Sequence, residues 1–335
     1  MADRPTTVFA MDPAHLPQLF PPGLRGRLGE LADIDTGLCV RDFTAPQHAD
    51  LLALTEVLIT GWGCPQLDTA AVMALPKLRV VLHAAGSVRN LVGETLWERG
   101  LTVSSAAQAN ALPVAEYALA AILFTAKDAF GARERYRASQ HYQSADETAN
   151  IGAFGRRVGL IGASRVGRRL LELLRPLDLD VSISDPYLDA AQAGELGARL
   201  LDLDELLATS DIVSLHAPDL PSTRHLLDRR RLALIPDGAV LINTARGGIV
   251  DESALVAQLE SGRIGAVLDV TQAEPLPPAS PLYRLPNVFL TPHIAGSLGN
   301  ELARLGTTVV EELARYSAGI PLIHQVHRAD LARVA

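Results

Sequence analysis

The sequence predicts an α/β chain with two parallel-sheet domains, on three observations. Its 335 residues exceed what one hydrophobic core usually organises, so two domains are the first expectation. Short β-branched or apolar runs alternate with helical patterns from Thr7 to about Ser105. A second series of the same kind runs from Arg157 to Leu290, and such alternation implies parallel strands covered by helices.

In the first series strands are predicted at residues 7–10, 38–40, 57–60, 79–82 and 101–103, punctuated by Pro21-Pro22-Gly23, Gly61-Trp62-Gly63, Pro76 and Gly100. A largely apolar helix follows over residues 109–127, with Asn110 as its cap and Pro113 near its first turn. Residues 131–150 then turn polar, with Arg133, Glu134, Arg135 and Arg137, and read as an exposed connector or a helix end. The second series places strands at 157–162, 181–184, 212–215, 239–242, 266–269 and 287–290, with the little polar alternation expected of strands covered on both faces. A last helix over 299–318 carries an apolar stripe of Leu302, Leu305, Val309 and Leu313.

Hydrophobic residues make up 48% of the chain and charged residues 20%, so it can bury real cores. With 30 basic against 38 acidic residues the net charge is -8, which argues against nucleic acid and membrane surfaces as partners. Cys39 and Cys64 are the only cysteines and neither sits in a metal-ligand spacing, so no metal and no disulfide is expected and a cytoplasmic setting fits. The N-terminus shows no signal pattern, and the longest apolar stretch, from Tyr117 to Ala126, is short of a membrane span; neither export nor anchoring is expected.

Gly162-Ala163-Ser164-Arg165-Val166-Gly167 follows a predicted strand and opens a predicted helix, the context of a dinucleotide fingerprint with Ser164 in the place of the middle glycine. A serine still presents its N–H, and its hydroxyl can donate to a phosphate oxygen. Asp185 ends the next strand, where a carboxylate accepts hydrogen bonds from the adenosine ribose and repels a 2'-phosphate; no arginine follows closely, which favours NAD over NADP. The alternatives are an ordinary βα turn for the loop and a simple turn at Asp185-Pro186. A hydrolase elbow, Gly-x-Ser-x-Gly, would need a glycine where Val166 stands.

Three further stretches, residues 210–218 (SDIVSLHAP), 242–252 (INTARGGIVDE) and 291–296 (TPHIAG), resemble the D-isomer-specific 2-hydroxyacid dehydrogenases over roughly residues 55 to 310. The resemblance implies two Rossmann-like, flavodoxin-like domains, with the NAD-binding domain (107–297) inserted into a substrate-binding domain (1–106 and 298–335). Matched residue by residue, it makes Arg246, Glu274 and His293 catalytic. It also assigns the cofactor to Gly162, Ser164, Arg165, Val166, Gly167, Asp185, Ala217, Pro218, Thr223, Thr244, Ala245, Arg246, Asp269, His293 and Ala295. Substrate falls to Gly86, Ser87, Val88 and Arg246, although the family loop usually continues with an aspartate where this chain has Arg89.

The chemistry suits those residue types. Arginine grips a carboxylate and a carbonyl with a planar fork, histidine exchanges a proton near neutral pH, and a glutamate can orient its ring. Alone, Arg246 would read as a surface arginine, His293 as a loop histidine and Glu274-Pro275 as a turn; together they follow strand ends of one parallel sheet, the edge where doubly wound folds bind ligands. His83, His216 and Cys64 receive no role. The leading expectation is a homodimeric NAD-dependent reductase of a small 2-oxo acid such as glyoxylate or hydroxypyruvate. Phosphite or phosphoglycerate oxidation, and an NAD-sensing corepressor that binds partners without turnover, are the alternatives. The absence of a C-terminal extension is read against the longer phosphoglycerate dehydrogenases, and Glu274 against formate oxidation, since relatives with that activity carry glutamine there.

Overall fold

The computed structural model describes residues 4–332 and divides into two compact units. One unit comprises the residues up to Ala111 together with those from Ser297 onward; the other is Leu112–Gly296. The sequence places the changeovers at 106/107 and 297/298. The first falls later because the helix Ala107–Ala126 runs unbroken through it: Ala109 belongs to the core of the outer unit and Ala115 to that of the inner one.

The outer unit begins with β1 (Thr7–Ala10), β2 (Val57–Thr60), β3 (Val80–His83) and β4 (Thr102–Ser105), paired in parallel in that order. The inner unit holds β5 (Arg156–Ile161), β6 (Leu179–Ser184), β7 (Arg199–Leu200), β8 (Ile212–Leu215), β9 (Val240–Asn243), β10 (Gly265–Leu268) and β11 (Val288–Leu290). Their order in the sheet, β11-β10-β9-β8-β5-β6-β7, reverses between β5 and β8, the point at which doubly wound sheets open a crevice beyond their strand ends. The chain then returns to the outer unit and adds β12 (Gln325–Val326) antiparallel to β4.

Both faces of each sheet are covered. In β8, Val213 and Leu215 point into one apolar cluster and Ile212 into the cluster opposite; in β3, Val81 faces one way and Val80 and Leu82 the other. Strand alternation with apolar residues on both sides produces this pattern, and it explains the unbroken apolar runs in the sequence. The buried stripe Leu302, Leu305, Val309 and Leu313 of the helix Leu302–Ser317 joins the outer core as expected. Directly before Leu313, Glu312 is a fully buried carboxylate, which accepts from Ser104 Oγ (2.9 Å) and from the main-chain N–H groups of Ile323 (2.9 Å) and His324 (3.2 Å). It fastens the returning segment to the sheet.

Four expectations need correction. Residues 38–40 make only an isolated bridge, Cys39 to Phe9, with a single bond from Val40 N to Phe9 O at 2.8 Å. Residues 131–150, read as an exposed connector or a helix end, are mostly exposed and more helical than a connector: 131–139 complete the helix Ala129–Ser139 and 145–148 form the short helix Ala145–Thr148, started by a capping box between Ser144 and Glu147. The two-residue strands β7 and β12 were too short to leave a periodic signal. Finally, the apolar segment is longer than read: the 20-residue helix Ala107–Ala126 is long and apolar enough to cross a membrane by length and composition. Here Ala115, Ala118, Ala121 and Ile122 are buried in the core of the inner unit.

Candidate active site

The loop after β5 is shaped by two glycines. Gly162 has φ +98, and a Cβ there would lie 2.7 Å from Ala217 N; a Cβ on Gly167 would lie 2.2 Å from Gly162 O. The first glycine makes the turn and the third lets helix and strand close up. Ser164 departs from the glycine pattern without strain, since its φ of -61 suits any residue. Its Oγ caps the helix Arg165–Leu174 by accepting from Gly167 N at 3.3 Å, which leaves the hydroxyl hydrogen to donate outward. The first turn of that helix, at Arg165 and Val166, presents N–H groups that lack helical partners, a ready anion site.

Asp185, directly after β6, ties down this loop: Oδ2 accepts from Ala163 N at 2.6 Å and Oδ1 from Tyr187 N at 2.8 Å. Facing it across the loop, Ala217 and Pro218 are held in a turn by Thr223, whose Oγ1 donates to Pro218 O (2.6 Å) and accepts from Leu220 N (2.8 Å). His216 lies buried beneath, bonded through Nε2 to Ser214 Oγ at 2.9 Å, and burial pushes its pKa down to about 3. It is a neutral structural histidine.

The three loops that leave β9, β10 and β11 carry the remaining candidates. Asn243 shapes the first: its side chain accepts from Ala245 N and donates to Arg246 O, both at 3.0 Å, and the exposed Arg246 guanidinium bonds Ala245 O at 2.6 Å. Gly247 seats this loop on the second, because a Cβ there would lie 2.0 Å from Thr271 O. Glu252 reinforces the junction by accepting from Gln272 N at 2.7 Å. Glu274 Oε2 meets His293 Nδ1 at 2.9 Å, and its Oε1 accepts from Thr271 N at 3.4 Å. That pairing leaves the Nε2 edge of His293 for a ligand.

His293 has φ +56, a left-handed conformation that a non-glycine residue keeps only when its surroundings impose it. The surroundings are Asp269, buried at 2% exposure. Its main-chain O accepts from His293 N (2.9 Å), Oδ1 from Thr291 Oγ1 (2.6 Å) and Ile294 N (2.8 Å), and Oδ2 from Ala295 N (2.9 Å). Resemblance assigns Asp269 to the nicotinamide; the structure adds a second task, the shape of the histidine loop. Thr244 Oγ1 nearby in sequence to Arg246 is buried without a hydrogen-bond partner among the described residues. Such an orphaned hydroxyl, with the glycine cradle at Gly162 and Gly167, fits a polar cofactor laid along this sheet edge.

In the outer unit the loop Gly86, Ser87, Val88 rests on a histidine that carried no sequence signal. His83 is buried; its Nδ1 bonds Thr60 Oγ1 at 2.9 Å and its ring also bonds the Ser87 main chain, while burial pushes its pKa down to about 4. Asn110, expected as a cap, instead accepts from Ser297 N at 3.0 Å, with its Nδ2 beside Gly86. Arg89 takes a structural partner, the carbonyl of Leu331. Desolvation of the half-buried thiol of Cys64 pushes its pKa up to about 12, so it is no nucleophile.

Comparison with known proteins agrees with this geometry. Residues 119–295 match the family described as D-isomer specific 2-hydroxyacid dehydrogenase, NAD binding domain. Curated relatives include D-3-phosphoglycerate dehydrogenases of Mycobacterium bovis (35% identical over 254 residues, 76% of this chain and 48% of the relative) and Methanocaldococcus jannaschii (32% over 294 residues, 87% and 54%). The chain thus spans about half the length of the curated relatives it matches. Among solved structures, a phosphoglycerate oxidoreductase from Rhizobium etli superposes with TM-score 0.82 at 25% identity, covering 97% of this chain and 99% of that one. A D-isomer specific 2-hydroxyacid dehydrogenase from Xanthobacter autotrophicus Py2, in complex with NADPH and MES, gives TM-score 0.74 at 27% identity over 98% and 100%. With the motifs, the sheet order and the paired His293 and Glu274 in place, the chain belongs to the D-isomer specific 2-hydroxyacid dehydrogenase family.

Proposed function

We propose that this chain interconverts a 2-oxo acid and the corresponding D-2-hydroxy acid with NAD(H). The observation that carries the reading is the 2.9 Å pair of His293 Nδ1 and Glu274 Oε2 at the C-terminal edge of a doubly wound sheet. When bound, the nicotinamide supplies or accepts the hydride. His293 donates a proton to the developing alkoxide during reduction and removes it during oxidation, while Glu274 fixes the ring. Arg246 holds the carboxylate and carbonyl oxygens. Gly162, Ser164, Arg165, Val166 and Gly167 take the pyrophosphate; Ala217, Pro218, Thr223, Thr244, Ala245, Asp269 and Ala295 line the rest of the cofactor's course.

The substrate we favour is D-3-phosphoglycerate with its 2-oxo counterpart, rather than glyoxylate or hydroxypyruvate. The names of the curated relatives support it. The length of the chain is no counterargument, since the Rhizobium etli phosphoglycerate oxidoreductase is matched over 99% of its length. NADH consumption on a panel of 2-oxo acids tests this: kcat/KM for 3-phosphohydroxypyruvate should exceed that for glyoxylate and hydroxypyruvate by about tenfold or more. A preference for the unphosphorylated acids would restore the smaller substrate. Binding of NADH without turnover of any acid would favour an NAD-sensing binding protein.

We infer NAD rather than NADP from Asp185. Replacing Asp185 with alanine should bring the ratio of kcat/KM for NAD over NADP down by about tenfold or more, and an unchanged ratio would mean that Asp185 does not read the ribose. A homodimer is supported by the exposed Phe124 and Phe289, which meet the half-buried Phe130 between them, stacked on Phe289 at 4.2 Å; a single-chain mass by light scattering would remove it. A cytoplasmic location is supported by the free thiols of Cys39 and Cys64, and recovery from an oxidising compartment would refute it.

A further inference from the structure

Tyr117 lies on the helix Ala107–Ala126, outside every motif that marks the cofactor or catalytic residues. Its hydroxyl meets Thr291 Oγ1 at 2.7 Å. Thr291 has one hydroxyl hydrogen, and that hydrogen is committed to Asp269 Oδ1 at 2.6 Å, since the carboxylate also takes the N–H groups of Ile294 and Ala295. The direction of the chain is therefore set: Tyr117 donates to Thr291, and Thr291 donates to Asp269. Partial burial raises the Tyr117 pKa above its usual value, which keeps that donor protonated.

We propose that Tyr117 is a positioning residue for the proposed reaction, holding His293 in its left-handed conformation through Thr291 and Asp269. The assignment rests on the reading of His293 as the acid–base group. Residue 291 precedes His293 by two positions and residues 294 and 295 follow it, so bonds to Asp269 flank the strained residue on both sides. Tyr117 adds the one anchor that comes from a different element, the long apolar helix, whose buried face makes it a rigid support. Without it the Thr291 hydroxyl can rotate away from the carboxylate, and the loop gains freedom on the N-terminal side of His293.

The test uses the full chain with Tyr117→Phe, Thr291→Val and Thr291→Ser, read by amide hydrogen exchange and by steady-state kinetics. Tyr117→Phe should speed exchange at Ile294 and Ala295 by about fivefold to tenfold and lower kcat by a similar factor, with KM for NADH unchanged. Thr291→Ser should behave as the parent, and Tyr117→Phe should add little to Thr291→Val, because the two remove the same chain of bonds. Parental exchange at Ile294 and Ala295 in Tyr117→Phe overturns the proposal. So does acceleration spread evenly over β10 and β11, which marks a merely structural residue. The two readings fail separately: local acceleration in a chain that reduces no acid sinks the enzyme and keeps the loop anchor, whereas normal turnover with unchanged exchange does the reverse.

Discussion

Replacement of His293 by alanine is expected to lower the rate of 2-oxo acid reduction by about a hundredfold to ten-thousandfold while NADH still binds. The size follows from removal of the imidazole proposed as proton donor, which the strand-end loops place beside Glu274. Glu274 does not replace it, because its carboxylate is aimed at the missing ring and at Thr271 N. Retained binding is expected because the proposed pyrophosphate and ribose contacts, the Gly162 to Gly167 loop and Asp185, are built on β5 and β6, away from the loop after β11. Quenching of NADH fluorescence in titrations should give a Kd within a few-fold of the parent. Turnover within tenfold of the parent would take His293 out of the proton-donor role.

A second large effect is expected in stability against pH. His83 in the outer unit and His216 in the inner one are both buried and neutral, with pKa values pushed down to about 4 and about 3 from an ordinary 6.5. The unfolded chain therefore binds more protons than the folded chain below pH 6.5. The stability from each neutral histidine is complete above that pH and is lost as pH falls toward about 4 for His83 and about 3 for His216, at about 1.4 kcal/mol per unit. At pH 5 each unit should have lost about 2 kcal/mol relative to pH 7.5, before most carboxylates begin to titrate. Urea denaturation at the two pH values measures it, and equal midpoints would show that neither histidine is held neutral.

Much of this was legible in the sequence because the strands of both domains, β12 apart, pair in parallel. Strands covered on both faces write unbroken apolar runs, and β2, β8 and β9 lie within a residue of where the runs put them. The candidate triad was legible through the family resemblance, and Arg246, Glu274 and His293 fall in the loops after β9, β10 and β11. Hydrogen-bond networks that join distant positions left no trace. Tyr117 and Thr291 are 174 residues apart, His83 reads as one more residue of an apolar strand, and Asp269 shows its acidic type but not that four groups of one loop converge on it. Polar composition left helix and connector undecided at 131–139 because arginine, alanine and glutamate are good helix formers as well as solvated ones.

The return of the chain to its first sheet sets an order of assembly during synthesis. Leu112–Gly296 is a continuous segment, so the inner unit has every strand it needs once Gly296 has emerged. The outer unit does not: residues 4–111 must wait for the helix Leu302–Ser317 to cover their sheet and for β12 to close the edge of β4. Until Ile323 and His324 leave the ribosome, the Glu312 carboxylate has only Ser104 to bond and no reason to be buried. Of the two units, the one whose translation begins first is thus the one that finishes last, with its β4 edge open until β12 arrives.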